Sequence, residues 1–471
     1  MKVLKSFLIF VLIFVVNQHV LAEVSTVNSV VKIFTTKSTH DYKYPWEISR
    51  FKNTSGSGTI IKDNKILTAA HVISYSSFIE VQKEGNPKKF KAEIEFVSHQ
   101  ADLAVLKVVD ETFFKDTTPL SLNPLVKHRD PVTVYGFPVG GNAISITEGV
   151  VSRIEYQQYV YSKESLLAIQ IDAAINLGNS GGPAVDKNGQ LIGIAMQGYQ
   201  NANSIGYIVP SILIQAFLKD TEDHEVNGFH LDQNIVRAIQ NLSMNQKYGL
   251  NDGDGVLVTA IQAGENQLRI GDVLLAVDGK PIANDGSIET KMGRIEYSLA
   301  FHTKQFGESV RLKVLRDKKI VEIDYLLGYT KPLIAKEFDS KPRYFIFGGL
   351  AFSPMTKNYL NSIDMKDNAI DMLFYGRLAD KELTEPVVWI QAIFPHEVNR
   401  GYSSGANVVK TVNGQNVRSF KHFVELIEES SDEFITIDFM TNKTVVLDRE
   451  KAISATSEVE SSFGVISDRR L

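Results

Sequence analysis

Gly178-Asn179-Ser180-Gly181-Gly182-Pro183 lies between an apolar run at 166–175 and a strand-like run at 191–196. A serine flanked by glycines on a tight loop presents its hydroxyl, and the glycines let backbone N–H groups turn toward one point. That combination suits acyl transfer, which needs a nucleophile and donors aimed at the oxyanion that develops. A serine alone is a poor nucleophile, so a base and a group to orient the base are required. Two upstream segments offer them. Thr68-Ala69-Ala70-His71-Val72 follows an apolar strand pattern, and Ala101-Asp102-Leu103-Ala104-Val105-Leu106 opens another. Taken singly, a Gly-rich serine turn is usually a turn, a histidine after a strand is structural, and an aspartate at a strand start is a cap. Three such signals in one order carry more weight than any of them.

The order His71, Asp102, Ser180 is that of the chymotrypsin-type double β-barrel. Further stretches make the likeness more specific. Gly56-Ser57-Gly58-Thr59-Ile60-Ile61, Ile66-Leu67-Thr68-Ala69-Ala70-His71, Ile171-Asp172-Ala173-Ala174-Ile175-Asn176 and Ile205-Gly206-Tyr207-Ile208-Val209-Pro210 resemble the Deg/HtrA-type serine proteases, and the later segments resemble the plant-type branch with two PDZ-like domains. The resemblance implies a mainly β fold: a chymotrypsin-like double β-barrel followed by two PDZ-like α+β domains. It implies His71 as base, Asp102 as its orienter, Ser180 as nucleophile, and the N–H groups of Gly178 and Ser180 as the oxyanion hole. Ala174, Ile175, Ile205, Gly206, Tyr207 and Ile208 are then the substrate-binding positions. They are small or apolar, so cleavage after small or aliphatic residues of unfolded or damaged proteins is expected. The family also implies a trimer-based homo-oligomer, with Tyr42, Tyr44 and Trp46 as candidates for subunit packing or, alternatively, for a locally packed surface loop.

Competing residues fit less well. His99 and His128 follow no Thr-Ala-Ala-like turn, Asp110 lies beyond its strand, and Asp172 is placed to order the serine loop.

The 471 residues suggest about three domains, and 44% hydrophobic content is enough for packed cores. A net charge of −5 with interspersed signs argues against nucleic acid as a partner. The absence of cysteine excludes disulfides, a cysteine nucleophile and thiolate metal sites. No cofactor or metal is expected. Asp252-Gly253-Asp254-Gly255 fails as a calcium loop because Ala263 stands where a bidentate Glu is needed. No phosphate-binding loop follows a strand, so an ATP-independent enzyme is expected.

Lys2 and Lys5 precede an apolar run at 7–16, and Val20-Leu21-Ala22 offers a cleavage site. This reads as a secretory signal peptide over 1–22, with an uncleaved anchor as the alternative; the run is short for a membrane span. With the resemblance, it implies a periplasmic protein without a stable membrane span after cleavage.

The protease is expected over 23–219, a PDZ-like domain over 228–330, a second over 342–450, and a tail over 451–471 that is either a packed helix or loose. Asp278-Gly279 and Asn413-Gly414 stand in similar contexts, a weak internal repeat. Phe420, Phe423, Leu426 and Ile427 mark one helical face. Asp232-Gln233-Asn234 stands where the first PDZ-like domain needs a glycine to hold a peptide carboxylate, whereas Phe347-Gly348-Gly349-Leu350 keeps it. The third domain is therefore expected to have the better carboxylate loop. The rival to the protease reading is an oligomeric chaperone or scaffold with little proteolysis.

Overall fold

The structure is a computed structural model describing residues 26–47, 50–141, 143–198, 205–231, 235–250, 253–261, 267–328, 332–363, 382–403, 405 and 407–471. The signal-peptide segment, Asp232-Gln233-Asn234, Asp252 and Ala263 lie outside the described residues. Among those described, no helix is long and apolar enough to cross a membrane. The chain divides into two compact units, residues 1–37 with 53–329 and residues 38–52 with 330–471.

Strands β1 (Val30–Thr39), β2 (Arg50–Ile61), β3 (Lys65–Thr68), β4 (Ser76–Lys83), β5 (Phe90–Ser98) and β6 (Leu103–Val108) close a barrel in the order β1-β2-β3-β6-β5-β4. Alternation sends Val31, Ile33, Ile66, Val81 and Leu106 into one core. Asp63 and Asn64, with φ of 62° and 54°, lie in the left-handed region in the three-residue connection between the paired Ile61 and Lys65. A single helical turn, α1 (Ala70–Ile73), follows β3.

A second barrel closes in the order β10-β11-β12-β9-β8-β7. Its strands are β7 (Pro131–Gly136), β8 (Ser145–Gln158), β9 (Ser165–Ile171), β10 (Pro183–Val185), β11 (Leu191–Gly198) and β12 (Gly206–Pro210), and α2 (Ser211–Asp220) ends it. Val134, Leu167, Ile169, Ile194 and Ile208 are buried in its core.

The first unit continues with the sheet β13-β14-β15-β19-β20, with β16 on β15. The strands are β13 (Ile235–Ala238), β14 (Val256–Ala260), β15 (Val273–Val277), β16 (Lys280–Pro281), β19 (Ser309–Arg316) and β20 (Lys319–Leu326), with helices α3 (Leu242–Tyr248) and α4 (Leu299–His302). An inserted hairpin, β17 (Ser287–Thr290) and β18 (Gly293–Glu296), brings Met292 and Ile295 into the second barrel's apolar cluster. Polar bonds reinforce the junction: Tyr156 OH lies 2.9 Å from His302 Nδ1, and Phe229 N donates to Gln100 Oε1 at 2.8 Å.

The second unit holds the sheet β27-β26-β24-β23-β22-β21-β28, with β25 on β24. Its strands are β21 (Tyr344–Phe347), β22 (Leu350–Pro354), β23 (Val387–Ile393), β24 (Asn407–Val412), β25 (Gln415–Asn416), β26 (Phe434–Phe439), β27 (Thr444–Asp448) and β28 (Arg469–Arg470). The helices are α5 (Lys357–Ser362), α6 (Phe420–Glu428) and α7 (Arg449–Phe463). The Ser419 hydroxyl caps α6 by accepting from His422 N, and the helix buries Phe420, Phe423 and Ile427. The internal repeat is a pair of matching hairpins. Asp278-Gly279 joins β15 to β16 and Asn413-Gly414 joins β24 to β25, all four residues with positive φ.

Of the alternatives the sequence leaves open, the tail takes the packed one and the aromatic stretch packs locally, while one expected loop is closed. Residues 451–471 supply α7, which buries Ala452, Ala455 and Val459, and β28, which pairs with β21. The aromatic stretch 42–46 is used within this unit: the Trp46 ring lies 4.8 Å from Phe394 and 6.2 Å from Tyr344, and Arg470 Nη1 donates to Pro45 O at 3.1 Å. The Gly348-Gly349 loop is not the open carboxylate loop expected from its glycines. Gly348 N donates to Thr456 Oγ1 at 3.0 Å, and Gly348 O accepts from Asn399 Nδ2 at 2.8 Å. A Cβ on Gly349 would fall 2.4 Å from Phe394 O. These glycines serve close packing against α7 and the 394–399 turn.

Candidate active site

His71 sits on α1, in the first barrel, and Asp102 in the turn between β5 and β6. Asp102 adopts φ 54°, a left-handed conformation that aspartate tolerates better than most residues, and it is fully buried. In this pose it grips the histidine turn three times. Its carbonyl accepts from Ala70 N at 3.1 Å, Oδ1 accepts from His71 N at 2.8 Å, and Oδ2 lies 2.7 Å from His71 Nδ1. A carboxylate only accepts, so the last bond places the ring proton on Nδ1 and leaves Nε2 with a lone pair.

Ser180 lies in the second barrel, on the loop between β9 and β10. Its Oγ makes a long bond to Met196 O, 3.4 Å, and among the described residues none to the His71 ring. Such contacts are often loose without substrate. The loop's amides fall into two sets. Those of Asn179, Gly181 and Gly182 donate to Asn176 O, Ala195 O and Asn179 O. Those of Gly178 and Ser180 donate to no acceptor among the described residues, as an oxyanion hole requires. Gly178 has φ 100°, and a Cβ there would meet Phe137 O at 2.4 Å. Only glycine fits that position.

Of the expected substrate-binding positions, Ile175 and Gly206 are brought together: a Cβ on Gly206 would meet Ile175 Cδ1 and Cγ1 at 2.8 Å. Gly198 approaches the Ile175 carbonyl in the same way, at 2.9 Å. Ala174 is fixed by Thr147 Oγ1, which donates to its carbonyl at 2.9 Å, and Ile205 packs partly buried against the barrel core. Tyr207 points elsewhere, its hydroxyl donating to Glu155 Oε1 at 3.2 Å, and Ile208 is buried inside the barrel. Beside the loop, Val139 N donates to Leu177 O at 2.8 Å, and both side chains are exposed, Leu177 73% and Val139 63%. No acidic or basic residue occurs from Ala173 to Val185 or from Leu191 to Leu218.

A trypsin-like peptidase domain model matches residues 56–194, and a PDZ domain model matches residues 334–470. Protease Do-like 4, mitochondrial, from Arabidopsis thaliana is 36% identical over 439 residues, covering 92% of this chain and 82% of that protein. Protease Do-like 2, chloroplastic, from the same plant is 31% identical over 457 residues, covering 95% and 75%. The chain belongs to the Deg/HtrA family. It is a serine endopeptidase by that membership and by its trypsin-like domain. The HtrA-type protease AlgW with decapeptide shares the fold, with TM-score 0.50 and 23% identity over 67% of this chain and 99% of that one.

In this Deg/HtrA chain, the serine of the Gly56-Ser57-Gly58 run has a structural role of its own. Ser57, fully buried on β2, reaches from the first barrel into the Gly178–Gly182 loop of the second. Its N donates to Ser180 O at 2.9 Å, its hydroxyl donates to Gly178 O at 2.8 Å, and the same oxygen accepts from Phe137 N at 2.8 Å. A Gly-Ser-Gly run signals close packing but does not say what the hydroxyl holds. The competing residues are occupied in other ways. Asp172 Oδ1 accepts from Val150 N at 2.6 Å, which ties the approach to the loop onto β8. Asp110 caps a 3-10 turn at Thr112, and His99 Nδ1 meets Tyr161 OH at 2.8 Å. Among the described residues no group of acidic and histidine side chains is disposed to hold a metal ion.

Proposed function

We propose that this Deg/HtrA protease is an ATP-independent endopeptidase whose nucleophile is Ser180, with His71 as general base and Asp102 as its orienting group. The observation that carries the reading is the three-bond grip of Asp102 on the His71 turn, which fixes the tautomer that can take a serine proton. Substrate binding turns the hydroxyl away from its long contact with Met196 O toward Nε2. The amides of Gly178 and Ser180 then receive the oxyanion. His71 hands the proton to the leaving amine, and water resolves the acyl-enzyme by the same path.

Small and aliphatic residues precede the cut bond, because Ile175 fills the slot over Gly206 and no charge stands in the flanking sequence. Such side chains are buried in folded proteins, so substrates are unfolded or damaged chains, and the role is protein quality control by a homo-oligomer. The plant relatives are named for mitochondria and chloroplasts. Residues 1–22 here contain no arginine and a single serine, unlike an Arg- and Ser-rich transit peptide, and favour secretion to a periplasm. Casein digestion tests the reading. Ser180→Ala abolishes it while leaving the melting curve unchanged, and the fragments from the native enzyme end in Val, Ile or Ala. Equal turnover by the variant, or cuts mainly after Lys or Arg, would refute it.

A further inference from the structure

The tip of the β8–β9 hairpin, residues 159–164, crosses from the second barrel to the catalytic histidine. It is stiff at its base: Tyr159 N donates to Glu164 O at 2.9 Å, Lys163 N donates to Tyr159 O at 2.8 Å, and the fully buried Tyr159 donates its hydroxyl to Leu167 O at 2.6 Å. Burial pushes the Tyr159 phenol well above its ordinary range, and the Asp102 charge adds to the rise. From it projects Tyr161. Its ring centroid is 6.0 Å from that of His71 and 6.0 Å from that of His99, and its hydroxyl lies 2.5 Å from Ser74 Oγ and 2.8 Å from His99 Nδ1.

Counting protons orders these bonds. Ser74 Oγ also lies 2.8 Å from Ala70 O, a carbonyl that only accepts, so the single Ser74 hydroxyl proton goes there. The Tyr161 hydroxyl must then donate to Ser74 Oγ. With its own proton committed, Tyr161 accepts from His99, which carries its proton on Nδ1. The chain His99 → Tyr161 → Ser74 → Ala70 runs in one direction and ends on the turn that carries His71. Asp102 holds that turn from the first barrel; Tyr161 holds its far end from the barrel that carries Ser180.

We infer that Tyr161 is a positioning residue for catalysis: with His99 as its fixed donor, it ties the His71 turn to the nucleophile's barrel and so sets the distance His71 must span to Ser180. The inference rests on the proposed triad, and its test separates the two. Tyr161→Phe keeps the ring and loses the hydroxyl. Kinetics are measured on the full chain with a fluorogenic peptide and normalised to the sites a fluorophosphonate titrates. The variant should lose roughly tenfold to a hundredfold in kcat, the cost of a misplaced catalytic group, with KM within about twofold. His99→Gln keeps an N–H donor and should retain most of the activity, whereas His99→Leu should behave like Tyr161→Phe. In ¹⁵N-histidine spectra of the full-length Ser180→Ala protein, assigned by loss of the signal in His99→Gln, His99 should show a protonated Nδ1. An unchanged kcat per titrated site in Tyr161→Phe with only a lower melting temperature, or an Nε2–H tautomer at His99, would overturn the inference. A His71→Ala enzyme that still cleaves would instead overturn the triad reading itself.

Discussion

Ser57→Ala removes one oxygen from a fully buried position and leaves two loop groups without their partner. The Gly178 carbonyl loses its donor and the Phe137 N–H loses its acceptor. An unpaired buried polar group costs about 1–3 kcal/mol, so the loop as seen here loses about 3 kcal/mol relative to arrangements in which those groups find other partners. Gly178 N is one of the two proposed oxyanion donors. If that loss falls on the catalytic arrangement, kcat/KM drops on the order of a hundredfold. The backbone bond from residue 57 N to Ser180 O survives the substitution, so the barrels are not parted. The assay is kcat/KM on a fluorogenic peptide ending in valine before the cut, with fluorophosphonate titration of competent sites and a melting curve in parallel. Activity within threefold of the native enzyme, with an unchanged melting temperature, would show that the hydroxyl does not hold the loop.

Gly178→Ala should abolish turnover, because its Cβ would lie 2.4 Å from Phe137 O at φ 100°; peptide cleavage measured on folded protein checks it. Ile175→Ala should open the slot over Gly206 and raise acceptance of Leu and Phe by roughly tenfold relative to Val, within the 1–3 kcal/mol such pockets command; mass spectrometry of cleaved casein reads the shift. Burial holds the His302 imidazole down to about 3, so the native state stays neutral where the unfolded chain, near 6.5, binds a proton. Its stability contribution is therefore complete above pH 6.5 and is lost as pH falls toward 3, by up to roughly 1.4 kcal/mol per pH unit. The melting temperature of His302→Asn should fall less steeply between pH 6 and 4 than that of the native chain. Trp46→Ala should destabilise the second unit by about 2–3 kcal/mol through lost packing on Phe394 and Tyr344, seen as a lowered melting transition.

The parts legible in the sequence are those that local chemistry dictates. The turn Thr68–Ala70 before His71, the aspartate opening β6 and the Gly-Asn-Ser-Gly-Gly loop each carry their signal within a few residues, and the structure places His71 against Asp102 at 2.7 Å. The Asp278-Gly279 and Asn413-Gly414 hairpins were visible because two consecutive positive-φ residues demand such pairs. The α6 face was visible because its apolar period matches a helix. What stayed hidden depends on partners far along the chain. Ser57 meets a loop 121 residues away, Gly348 meets Thr456 108 residues away, and Tyr161 meets Ser74 across 87. The Gly348-Gly349 pair misled because glycine signals close approach without naming what approaches. The role of Trp46 stays open in the sequence because an aromatic in an irregular stretch looks the same whether it serves another subunit or its own chain. Tyr207 shares a motif with Gly206 but faces the other side of β12, as strand alternation requires.

The central claim is that Ser180 is a nucleophile activated by His71. Intact-mass and peptide mapping of the full-length enzyme after a fluorophosphonate probe tests it most directly. One adduct per chain is expected, on Ser180, formed at a rate that falls by several orders of magnitude in His71→Ala while the protein stays folded. An adduct on another serine, or labelling of Ser180 at an undiminished rate without His71, would contradict it.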